Sequence, residues 1–167
     1  MTTLELLQKE FRDELVITKR VLNRVPEDKL TWKPHPRSMT LGQLALHIAL
    51  VPGDIAAITQ PDIFDVSTNT FTNPQPHTLA EIHFALNHSA HAVEQALAHS
   101  TDEDAQALWH LRFGDRELSA EPRITVWRSL MFNQWIHHRG QLCVYLRLLD
   151  LPVPAIYGPS ADERLPS

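Results

Sequence analysis

Four long stretches of this sequence repeat apolar residues every three or four positions, and prolines separate them. In the first, from about Thr3 to Val25, Leu4, Leu7, Phe11, Leu15, Thr18, Leu22 and Val25 share one helical face. Pro26 ends it, and the following KLTWKPHPRS, with Pro34 and Pro36, reads as extended. A second helix starts at Thr40, an N-cap residue, and turns Leu44, His47, Ile48, Val51 and Ile55 inward. Pro52 inside that pattern predicts a kink or an interruption. Residues 59–77, with three prolines and many short polar side chains, read as a loop. Thr78 and Glu81 have capping-box spacing, and a third helix follows to about His99, with Leu79, Ile82, Leu86, Val93 and Leu97 inward. The stretch 100–122 reads as a helical turn from Asp102 to Trp109, then an irregular or weakly extended segment. A fourth helix runs from about Arg123 to Asp150, with Trp127, Met131, Gln134, His138, Leu142, Tyr145 and Leu149 on one stripe. Pro152 and Pro154 end it, and the tail from about 151 has no periodicity.

Four helices with strands absent or marginal predict an all-α fold, an antiparallel four-helix bundle. The long 59–77 connection leaves room for a topology other than simple up-and-down. At 167 residues the chain predicts a single domain spanning 1–167, since domains run to roughly 100–200 residues. No apolar run reads as approaching the roughly 18 residues of a membrane span. The N-terminal MTTLELLQKEFRDEL carries acids where a signal peptide needs a basic end, so the expected compartment is the cytoplasm. A net charge of −5 with no basic block argues against nucleic acid as a partner. The single cysteine, Cys143, excludes an internal disulfide and any CxxC metal site, so metal chemistry would rest on imidazole and oxygen. There is no GxSxG, P-loop or dinucleotide fingerprint, and no organic-cofactor site is expected.

The chain has 10 histidines, and two fall on inward stripes. His47 sits between Leu44 and Val51, and His138 lies seven residues from both Met131 and Tyr145. Gln134 precedes His138 by four residues, one turn away on the same face. Three side chains with lone pairs thus aim at one core from helices two and four, where bundles build metal sites. The competing reading is structural: an inward His is more often a hydrogen-bonded core residue, and a buried Gln can satisfy its N–H. His88 and His91 read as a solvated face, His35, His77, His99 and His110 as loop or helix-end residues, and His137 as lying at the bundle edge. Gly140 in mid-helix suggests a closely packed neighbouring backbone. Arg139, beside His138, reads as an anion carrier or, more commonly for such a residue, a local salt-bridge partner, and nothing near Cys143 in sequence activates its thiol.

The run NQWIHHRGQLCVYLRLL (133–149), the following PVPAIYGPSADE and the upstream KLTWKPHPRSMTLGQLALHIA (29–49) resemble the DinB-like (DinB/YfiT) family. The resemblance covers most of the chain, and HHRGQL is its most specific segment. It implies an up-down-down-up four-helix bundle with a long connection between helices two and three. It also implies a divalent metal, zinc or nickel first and iron or manganese next, held by a helix-two His and a helix-four HxxxH pair. Carried onto this sequence, the ligands are His47, His138 and, in the place of the first helix-four His, Gln134. An amide oxygen there is neutral and a weaker donor than imidazole for zinc or nickel. The implied activity is metal-dependent thiol or group transfer, or hydrolysis, on a small molecule, with a low-molecular-weight thiol as partner. The alternative is a non-catalytic stress-response or ligand-binding bundle with a degenerate metal site. The catalytic residues stay unassigned; His137 and Asp54 are base candidates by proximity alone. A homodimer is expected, as family members pair through their bundle faces and Trp127 is bulky for a small bundle to bury.

Overall fold

The structure, a computed structural model, describes residues 2–164; the last three residues of the predicted tail lie outside it. Helix α1 (Thr3–Leu22) opens on a capping box in which the Thr2 hydroxyl accepts from Glu5 N–H and the Glu5 carboxylate accepts from Thr2 N–H. Leu4, Leu7, Phe11 and Leu22 are buried along it, as the periodicity predicts. Helix α2 (Leu41–Ile58) starts on a second capping box, Thr40 with Gln43. Helix α3 (Leu79–His99) is capped by Thr78 and buries Ile82, Leu86, Ser89, Ala90, Val93 and Leu97.

Pro52 does not interrupt α2. The ring removes one helical donor, and the neighbouring Gly53 N–H is taken up by Ser89 Oγ of α3 at 2.7 Å. The same hydroxyl donates to the Leu50 carbonyl at 3.4 Å. A Cβ on Gly53 would lie 2.8 Å from Ser89 Cα, so glycine is what lets the two helices close to this distance. The disturbed ladder is thus repaired across the helix pair. Helix α2 also corrects the membrane reading. Its 18 residues carry one formal charge, Asp54, and are long and apolar enough to cross a membrane. Half of that length is buried inside this protein, packed on α3, as the central helix of a core is.

The 59–77 and 100–122 segments are more ordered than their sequences suggest. The first holds strand β1 (Ile63–Asp65). The second holds α4 (Asp102–Gln106), shorter than the predicted turn, then β2 (Leu108–Phe113) and β3 (Arg116–Pro122). The sheet order is β1-β2-β3, with β1 parallel to β2 (Ile63 opposite His110) and β2 antiparallel to β3 (Phe113 opposite Arg116). His110 is therefore a strand residue, not a loop residue. Gly114 opens the two-residue turn with φ +57, a conformation glycine takes without steric cost. Trp109 anchors the sheet: it is buried, stacks on Phe64 and donates its Nε1–H to the Ile58 carbonyl at the end of α2. Among the described residues the fold is mostly helical with this small mixed sheet, not purely helical.

The last helical rod is α5 (Arg123–Val126), a π-helical stretch (Trp127–Asn133) and α6 (Gln134–Leu148), with right-handed helical dihedrals at both junctions. The buried residues of the rod are Arg123, Val126, Trp127, Met131, Phe132, Trp135, Arg139, Leu142 and Leu146. The wide π turns hold about one extra residue per turn, so the inward phase moves by one between Met131 and Trp135. Leu22, Leu41, Leu44, Ile48, Ile82 and Leu86 from α1, α2 and α3 complete one continuous core. Trp127 is 2% exposed, with its Nε1–H donated to Thr59 Oγ1, so it offers no free face to a partner copy.

Candidate metal centre

His47 reaches the edge of the core from the middle of α2, and His138 meets it from the first turns of α6. Both are half-buried. Their ring centroids lie 4.5 Å apart with the planes at 80°. Two imidazoles sharing one ion through bonds of about 2.0–2.1 Å hold their ring centres about 4.5–5.5 Å apart, so this spacing falls at the short end of that range. Burial, and then the neighbouring His138, lowers the His47 pKa below the ordinary histidine value, which favours the neutral, coordinating form. His138 Nδ1 lies 2.8 Å from Gln141 Oε1. The exposed His137 ring sits 5.1 Å from that of His138.

Gln134, one turn of α6 before His138, is exposed. Trp135, fully buried and stacked on Phe11 at 5.3 Å, occupies the inward place beside it. Among the described residues no group of three or more His, Cys, Asp or Glu side chains converges to hold an ion. What the structure brings together is an imidazole pair, His47 and His138. Asp54, two turns beyond His47, has a carboxyl pushed above its usual range by desolvation.

Sequence reasoning missed the most deeply buried charge among the described residues. Arg139, 1% exposed, is not a local salt-bridge residue: it crosses to α1 and pairs with Glu14 at 2.5 Å. It also donates to the Glu14 carbonyl, to Thr18 Oγ1 and to the Tyr157 hydroxyl. Tyr157 in turn donates to both Glu14 carboxylate oxygens, at 2.8 and 2.9 Å. Every partner is satisfied, which is the condition for a buried ion pair to hold. This cluster fixes the turn of α6 next to His138 and ties the C-terminal tail down over it. Glu163 adds ion pairs to Arg20 and Arg24, and Asp162 pairs with Arg147.

Two further sequence readings change. A Cβ on Gly140 would meet nothing within 4 Å, so no packed backbone requires that glycine. Burial pushes the Cys143 thiol up, which leaves it poor in thiolate. His88 and His91 are exposed as expected, His88 stacked against Phe84.

The fold agrees with what known proteins show. Residues 1–164 match the profile of the DinB family, and the chain belongs to that family. The uncharacterized protein YrdA of Bacillus subtilis (strain 168) is 28% identical over 162 residues, covering 96% of this chain and 92% of the relative. The crystal structure of a DinB-like protein from Bacillus cereus ATCC 10987 superposes with a TM-score of 0.71 at 26% identity, over 89% of this chain and 94% of that one. A DinB-like protein (YjoA) from Bacillus subtilis gives 0.70 at 17% identity over 96% and 99%, a likeness of fold.

Proposed function

We propose that this chain is a divalent-metal protein in which His47 and His138 hold the ion, with the Gln134 amide completing the protein ligands by a change of side-chain rotamer. The single observation behind this reading is the pair of imidazoles 4.5 Å apart at the solvent-facing edge of the core. Zinc or nickel suits imidazole best, with iron or manganese next. A bound ion would supply Lewis acidity and lower the pKa of a small ligand at neutral pH. The reaction class that follows is transfer of a thiol or other group to a small molecule, with hydrolysis second and a low-molecular-weight thiol as co-substrate. His47 and His138 bind, and His137 and Asp54 are the candidates for moving a proton. Asp54 fits that role because its desolvated carboxyl holds a proton to higher pH than an ordinary aspartate.

The same reading takes the helices as an up-down-down-up four-helix bundle and the protein as a cytoplasmic homodimer. With Trp127 buried, the dimer would use other residues, and light scattering would give twice the 19.0 kDa chain mass. One observation favours the second reading, a non-catalytic ligand-binding or stress-response bundle with a degenerate metal site: Gln134 faces solvent. Competitive titration of zinc into chelator-treated protein separates the two. Under the first reading Gln134→His tightens binding and His138→Ala abolishes it. Wild-type protein that takes up no zinc or nickel establishes the second.

A further inference from the structure

Resting on the metal reading above, we infer that Gln141 is a positioning residue, which fixes the tautomer and ring orientation of His138 so that Nε2 is the nitrogen presented to the site. The geometry is direct. His138 Nδ1 lies 2.8 Å from Gln141 Oε1. An amide oxygen only accepts, so Nδ1 must donate. A neutral imidazole has one N–H, and with it on Nδ1 the lone pair is on Nε2. The two residues are three apart on α6, so one helix face sets the contact and no other element has to hold it.

The neighbours explain why such a device is useful here. Arg139, between the two residues in sequence, is clamped to Glu14, Thr18 and Tyr157 and cannot rotate, which fixes the helical phase of His138. Phase alone sets where Cβ points, not which ring nitrogen carries the hydrogen. A ligating histidine ordinarily gives its second N–H to a carbonyl, carboxylate or water, and loss of that partner costs about 10–100-fold in metal affinity. Gln141 is exposed, so its replacement leaves the core untouched and isolates this role from folding.

The test is a long-range proton–nitrogen correlation spectrum of the full chain in alkaline buffer, with His138 assigned by loss of its signals in His138→Ala. The wild-type ring should carry its hydrogen on Nδ1. Gln141→Leu should move hydrogen to Nε2 and raise the zinc dissociation constant about 10–100-fold. Gln141→Glu keeps the acceptor and should restore the Nδ1–H form with at least wild-type affinity. A wild-type ring protonated on Nε2, or a tautomer unchanged in Gln141→Leu, overturns the inference. The two readings fail separately. A tautomer that responds in a protein without zinc affinity removes the metal and keeps the role of Gln141, whereas zinc binding with an unresponsive tautomer does the reverse.

Discussion

Replacing Glu14 with Ala isolates the buried charge cluster that sets the helix beneath His138. Arg139 is 1% exposed and the Glu14 side chain 9%, so the pair is effectively out of water. Removing the carboxylate leaves a guanidinium buried with only neutral acceptors, and breaking such a pair costs about 3–5 kcal/mol. For a domain of this length each kcal/mol moves Tm by about 2–4 °C, so the midpoint should fall by about 6–20 °C. Urea unfolding followed by far-ultraviolet circular dichroism, with calorimetry for Tm, measures it. Three comparisons sharpen the reading. Tyr157→Phe removes one hydroxyl and leaves the ion pair in contact, so it should cost less, about 1–3 kcal/mol. The paired change Glu14→Leu with Arg139→Met removes both charges and should also cost less than Glu14→Ala. Asp13→Ala breaks the exposed Lys9–Asp13 pair, 62% and 60% accessible, and should cost about 0.2–1 kcal/mol. If Glu14→Ala falls in that last range, the cluster is not the rigid element described.

The two helical glycines should respond in opposite directions. Gly140→Ala meets open space and should stabilise by about 1 kcal/mol, whereas Gly53→Ala drives a methyl into the Ser89 backbone and should destabilise, both read from urea midpoints. For pH, His47 holds its proton more weakly folded than unfolded, so the native state binds fewer protons and stability rises with pH across its titration. The contribution is complete above the unfolded value of about 6.5 and is lost as pH falls through it toward the lower folded value. His47→Gln should flatten that part of the urea-midpoint profile, and an unchanged slope would count against burial of the ring.

The three helices α1, α2 and α3 were legible because each joins a clean three-and-four stripe to a Thr cap, and local capping chemistry survives whatever the tertiary packing does. His47 was legible for the same reason. The fourth helix shows the limit. Stripe reading assumes 3.6 residues per turn throughout, and the π stretch from Trp127 to Asn133 breaks that assumption without any mark in composition. Gln134 reads inward and is exposed, and Arg139 reads as a local salt-bridge residue and is the buried anchor. Tyr157 was invisible because its partner Glu14 lies 143 residues away and the tail has no period to place it. The hairpin does carry a signal in the sequence. Gly114-Asp115 between WHLRF and RELSA is a two-residue turn with glycine first. Strand β1 left none, since three residues paired in parallel across 47 positions carry no local pattern.

The proposed metal site rests on His47 and His138 together holding one ion. Anomalous diffraction from zinc-loaded crystals, with data on both sides of the zinc absorption edge, tests it most directly. The expected result is a peak about 2.0–2.1 Å from one nitrogen of each ring, with Nε2 as the ligating atom of His138. A peak at other histidines, or full zinc occupancy with no peak between this pair, would contradict it.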